Sequence, residues 1–169
     1  MIKEKIQADV KEALKAGNAK KRIVLGSLLA AVKNRELDKR SKLSKALSAQ
    51  TGGETGDLDA ASHLTDEETI EVISTEIKKR KESIETYANA SRPELAEGEQ
   101  EELVVLMQYM PEQLSEEAIR VEVKFTIDQV HPQGPKDIGK VIGAVMPKVK
   151  GRADGQLVSR IVKEELSRM

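Results

Sequence analysis

With 169 residues, 38% of them hydrophobic and 34% charged, the chain can build one ordinary domain or two small ones, and it is too apolar to stay unfolded. Cysteine is absent, which excludes disulfides, thiolate nucleophiles and cysteine-ligated zinc; only Phe125, Tyr87 and Tyr109 are aromatic, which excludes a base-stacking surface of several rings. The net charge of −1 hides an uneven spread: residues 1–42 carry 12 Lys/Arg against 5 Asp/Glu, residues 66–102 carry 5 against 12, and residues 136–169 carry 8 against 4. Two basic ends around an acidic middle suit either a polyanion partner or charge matching within the fold.

In chain order, Ile2, Ile6, Val10, Ala13 and Leu14 fall at helical spacing, and Gly17-Asn18 stops the helix. A second helix is expected over 19–38, with Ile23, Leu25, Leu28, Leu29, Val32 and Leu37 as its apolar positions, folded back on the first as a hairpin. Residues 43–63 turn rich in Ser, Gly, Thr and Ala and read as a flexible loop. Thr65 followed by Glu68 forms a capping box, opening a helix that should reach Asn89 with Ile70, Ile73, Ile77, Ile84 and Tyr87 inward. Pro93 opens the next helix, where a missing amide costs nothing, and Pro111 closes it.

The stretch after Ser115 carries two periods at once. Ile119, Val121, Val123, Phe125 and Ile127 alternate as a strand would, whereas Ile119, Val123, Ile127 and Val130 fit a helix. The Ser115 cap and the acidic Glu116-Glu117 first turn favour helix. After the His131–Pro135 loop a short helix is expected over 136–146, with Ile138, Val141, Ile142 and Val145 apolar. A basic connector over 147–155 follows, then a last helix capped by Asp154 and carrying Leu157, Val158, Ile161, Val162 and Leu166. The expectation is an all-α protein: an N-terminal helical bundle over 1–111, with 43–63 as a flexible loop, and a C-terminal three-helix module over 112–169.

The run from Asp137 through Lys140, Gly143, Pro147, Lys150, Gly151, Arg152, Asp154 and Gly155 resembles the signature of the GatB/YqeY family. The likeness extends to Tyr109 through Glu117, to Leu28 through Asn34, and to Lys78 through Ile84; it leaves out 43–63. The resemblance implies an all-helical fold and kinship with the tail of the B subunit of glutamine-dependent aminoacyl-tRNA amidotransferases. That tail contacts tRNA, while other domains perform the carbon–nitrogen ligation with glutamine as the amide donor. It therefore implies tRNA association without amidotransferase chemistry by this chain alone.

The basic connector is the candidate RNA site. Lys148, Lys150 and Arg152 sit beside the start of the last helix, whose free amides and dipole favour an anion, with Lys136 and Lys140 one helix back and Arg160 ahead. A-form RNA is recognised by phosphates, 2′-hydroxyls and shape, so a cationic turn without aromatics suffices. Against this, Asp154 puts a negative charge at the same helix start, and Gly151 and Gly155 are explained by turn geometry alone. Gly139 and Gly143 inside one helix call for compensation, and close packing of another helix is the expected reason ahead of an approaching nucleic-acid backbone.

Other chemistry finds little support. Gly134, Gly139 and Lys140 match the spacing of a phosphate loop, but Val141 stands where the magnesium-binding hydroxyl is needed. His63 and His131 lack an evident positioned carboxylate, although Asp128 lies three residues before His131. No catalytic residue, cofactor or metal is expected. Expected partners are tRNA or another structured RNA, with an aminoacyl-tRNA amidotransferase or synthetase as a protein partner. The alternative is an adaptor docking a basic protein through the acidic helices of 66–102. Without a signal peptide or an apolar run of spanning length, a cytoplasmic location with no membrane contact is expected.

Overall fold

The computed structural model describes residues 1–51 and 58–168, and among these every regular element is helical, so the fold is all-α. The chain divides into two compact units, Met1–Tyr109 and Met110–Met169.

In the first unit α1 (Ile2–Lys15) and α2 (Ala19–Thr51) form a hairpin, α3 (Leu58–Ser62) is a single turn, and α4 (Asp66–Asn89) and α5 (Pro93–Met107) complete the bundle. The hairpin turns at Gly17, whose φ of +67° is open to glycine at no steric cost. Thr65 accepts the Glu68 amide while Glu68 accepts the Thr65 amide at 2.8 Å, the reciprocal cap expected from their spacing. Central α2 packs against α1, α3, α4 and α5. Its inward residues Val24, Leu25, Leu28 and Val32 are at most 2% exposed and meet a core that includes Ile6, Ile73 and Leu106.

Segment 43–63 departs from the loop reading. α2 runs through it to Thr51 and α3 occupies Leu58–Ser62, while residues 52–57 lie outside the described residues. Leu43, Lys45, Ala46 and Leu47 are good helix formers, and extending an existing helix avoids the nucleation cost that a new one meets. Two positions assigned to the apolar stripe of α2 also differ: Ile23 is 59% exposed and Leu37 is 49% exposed.

The second unit consists of α6 (Glu116–Val130), a 3₁₀ turn (Pro135–Asp137), α7 (Ile138–Val149) and α8 (Gly155–Leu166), with each of the three helices packed on the other two. The two competing periods of the 119–127 stretch resolve as helix. Ile119, Val123 and Ile127 are buried, while Val121 and Phe125, which a strand would have placed on the same face, lie outside. Ser115 caps α6 by accepting the Ala118 amide at 3.2 Å. α7 continues three residues past its expected end: Pro147 gives up one backbone bond near the terminus, but Val149 reaches the core and is 1% exposed. The core joins Val141, Val145 and Val149 to Val158, Ile161, Val162 and Leu166.

Candidate functional site

The α7–α8 turn is shaped by a few local bonds. α7 stops at Lys150, Gly151 takes φ +71°, and the Arg152 and Ala153 amides both reach back to the Val149 carbonyl. Asp154 then accepts the amides of Gln156 at 2.9 Å and Leu157 at 3.4 Å. The segment before α6 is strapped to this turn. The Leu114 amide donates to the Arg152 carbonyl at 2.7 Å, and the Gln113 side chain donates to the Gly151 carbonyl at 3.0 Å.

The six expected RNA-binding cations fall into two groups. All six are exposed, and they differ in what their side chains touch; the first group is Lys136, Lys140, Lys150 and Arg152. Of these, Lys140 makes only a long 3.5 Å bond to the Val130 carbonyl, Arg152 makes a similar one to the Glu112 carbonyl, and Lys150 has a partner of its own. Lys148 and Arg160 are engaged with α6. The Lys148 ammonium donates to Thr126 at 3.0 Å and Gln129 at 2.9 Å, pairs with Glu122 at 3.2 Å, and stands 4.9 Å from the centre of the Phe125 ring. Arg160 pairs with Glu116 at 3.0 Å and Glu164 at 3.9 Å.

Lys136, Lys140, Lys150 and Arg152 do not form one tight cluster. Lys136 and Lys140 lie at the start of α7 and Lys150 and Arg152 beyond its end, separated along the axis by about 15 Å at 1.5 Å per residue. Between them, Gly139 and Gly143 lie on the outer face of α7, and a methyl group added at either would meet nothing within 4 Å. Helix packing within the second unit is therefore not why they are glycine, contrary to expectation. The phosphate-loop match also loses its context, because the element before it, α6, is a helix where that loop requires a strand.

One polar centre was missed from the sequence. Arg120 bridges to Glu165 at 2.6 Å, Glu164 at 2.9 Å and Glu116 at 3.1 Å, joining α6 to α8. Hydrogen bonds to Glu165 and Glu164 raise the Arg120 pKa, and the bond from Arg120 holds the mostly buried Glu165 carboxyl below its usual range despite desolvation. The local spacings Glu116–Arg120 and Arg160–Glu164 were legible as helical pairs; their convergence across helices was not.

Charge that is separated in sequence is thus mixed in space. In the first unit Lys39 pairs with Glu68 at 2.7 Å, Lys20 pairs with Glu101, and Asp66 accepts the Ile2 amide at 2.7 Å. Arg80 of α4 meets Glu102 at 2.9 Å and Glu99 at 3.3 Å on α5. The second unit contains ten Lys/Arg against nine Asp/Glu, so the basic tail folds onto its own acidic helix. His63 is exposed, and His131 occupies the left-handed C-cap of α6 with φ +48°.

Fold and site together define a small all-helical protein made of a helical bundle and a three-helix module with an exposed cationic turn. A family model described as Yqey-like protein matches residues 48–166, and the chain belongs to that family. It is 29% identical over 167 residues to altered inheritance of mitochondria protein 41, mitochondrial, of Pyrenophora tritici-repentis, an alignment covering 97% of this chain and 80% of that protein. An uncharacterized protein of Schizosaccharomyces pombe is 33% identical over 93 residues, covering 55% of this chain and 73% of its own length. The expected cytoplasmic location is corrected by the first of these relatives, which is named as mitochondrial.

Proposed function

We propose that the chain is an RNA-associated accessory protein whose second unit docks on tRNA or a similarly structured RNA. It would do so through Lys136, Lys140, Lys150 and Arg152, without carrying out amide transfer itself. The supporting observation is the exposure of these four cations on α7 and the turns that flank it, beside two exposed glycines with nothing within 4 Å. Kinship with the tRNA-contacting tail of the amidotransferase supports the choice of RNA. Lys148 and Arg160 are assigned to holding α6 against α7 and α8, on account of their carboxylate partners. We also place the protein in mitochondria, following its Pyrenophora relative.

The adaptor reading is weaker, because Glu68, Glu99, Glu101 and Glu102 already face basic groups of the same unit. The test of the RNA reading is fluorescence titration of labelled tRNA with the full chain and with K136A/K140A/K150A/R152A. The expected result is weaker binding by the variant, with the salt slope shallower by about one for each phosphate no longer neutralised. Equal affinity and slope would remove the site.

A further inference from the structure

Once internally matched charges are set aside, the largest remaining concentration of cations lies in the first unit, around the turn from α1 to α2. From Val10 to Arg35 the sequence holds seven Lys/Arg and a single carboxylate, Glu12. Lys20 is paired with Glu101, but the side chains of Lys11, Lys15, Lys21 and Arg22 pair with none of the described residues. Among these cations stand two aliphatic side chains that the fold leaves in water: Leu14, 64% exposed on the last turn of α1, and Ile23, 59% exposed near the start of α2. Their neighbours Ala13 and Val24 are buried, so Leu14 and Ile23 belong to the outer faces of a hairpin already satisfied on its inner side.

Cations alone would suit any polyanion. A nucleic-acid backbone, however, takes up charge and hydrogen bonds and offers aliphatic side chains little. A lipid interface accepts both, with anionic headgroups meeting the cations and the acyl boundary taking the aliphatic groups. We propose that the α1–α2 turn is a docking surface for an anionic lipid membrane, with Lys11, Lys15 and Arg22 on headgroup phosphates and Leu14 and Ile23 entering the acyl boundary. This revises the expectation of no membrane contact, which rested on spanning length. Among the described residues no helix is long and apolar enough to cross a bilayer, and the proposed contact lies on the surface. It uses a different unit from the RNA reading and stands independently of it.

The test is co-sedimentation of the full chain with vesicles of phosphatidylcholine alone and of phosphatidylcholine mixed with phosphatidylglycerol. Binding to the anionic vesicles only is expected. K11A/K15A/R22A should lose about fivefold per cation, or about a hundredfold in all. L14S/I23S, with every cation intact, should also lose most of its binding. All five positions are exposed, and an unchanged thermal melt of L14S/I23S confirms that its loss is a surface effect. Equal binding to neutral vesicles, no binding to anionic ones, or full retention by L14S/I23S would overturn the proposal. So would loss of tRNA affinity in K11A/K15A/R22A with vesicle binding unaltered, which would make the turn an RNA contact.

Discussion

The Lys3 ammonium and the Glu36 carboxylate, 33 residues apart in sequence, meet at 2.6 Å where α1 crosses α2. Glu36 is 2% exposed, and the same oxygen accepts the Leu64 amide at 3.3 Å, so one carboxylate ties α1, α2 and the approach to α4. Burial pushes its pKa upward, but the Lys3 and Leu64 hydrogen bonds and the nearby positive charge outweigh burial and hold it below the ordinary range. Removing the lysine strands a buried charge. K3M and E36A should each destabilise the chain by about 3 kcal/mol, read from urea unfolding at pH 7.

The same carboxylate fixes the direction of a pH dependence. Because its pKa is lower folded than unfolded, its stabilisation is complete above the unfolded value of about 4.3 and is lost as pH falls through the folded value. Melting temperatures measured between pH 7 and pH 3 should therefore fall less steeply for E36Q than for wild type. Parallel curves would show that Glu36 titrates alike in both states.

Arg120 should matter in a related, pH-dependent way. Without it, Glu165 loses the bond that keeps its carboxyl ionised at low cost. R120A should melt below wild type at neutral pH, with the gap closing as the carboxylates are protonated in acid. A gap that stayed constant would point to weaker packing of the arginine stem instead.

Gly139 and Gly143 separate stability from binding. Alanine at either position meets open space and suits the helix better, so G139A and G143A should each stabilise by about 0.5–1 kcal/mol. If an RNA backbone lies against this face, the double variant will combine a raised melting temperature with weaker RNA binding. A fall in melting temperature would contradict the open face.

The two groups of cations in the second unit should behave differently. K148M and R160M are expected to lower the melting temperature by removing the Lys148–Glu122 and Arg160–Glu116 pairs, less so for R160M because Glu116 keeps Arg120, with RNA affinity little changed in the folded protein. K140A and R152A are expected to do the reverse. Thermal melts and tRNA titrations on the same four variants distinguish the groups.

Helix ends and the sides of α6 were legible in the sequence because their causes are local. Thr65 with Glu68, Ser115 and Asp154 each satisfy amides within three residues, and a 3.6-residue period separates Val123 from Phe125. The extent of α2 was not legible because the Ser, Gly and Thr content of 43–63 masks the continuation of the helix already running into it. The fate of the cations was not legible at all: Lys148 finds Glu122 on another helix, and Arg160 finds Glu116 44 residues away. Sequence displays charge along a line, whereas cancellation is decided by which helix faces meet. Leu14 and Ile23 were misplaced for the same reason, since an apolar residue at helical spacing is buried only if another element covers it.

RNA docking by the second unit is tested most directly by fluorescence anisotropy of the full chain, and of K136A/K140A/K150A/R152A beside it, against bulk tRNA and a DNA duplex of equal length, at about 50 and 200 mM salt. Tighter binding to tRNA is expected, with the preference kept at the higher salt. Equal affinity for both, abolished by salt, would contradict it and reduce the exposed cations of α7 and its turn to an unspecific positive surface.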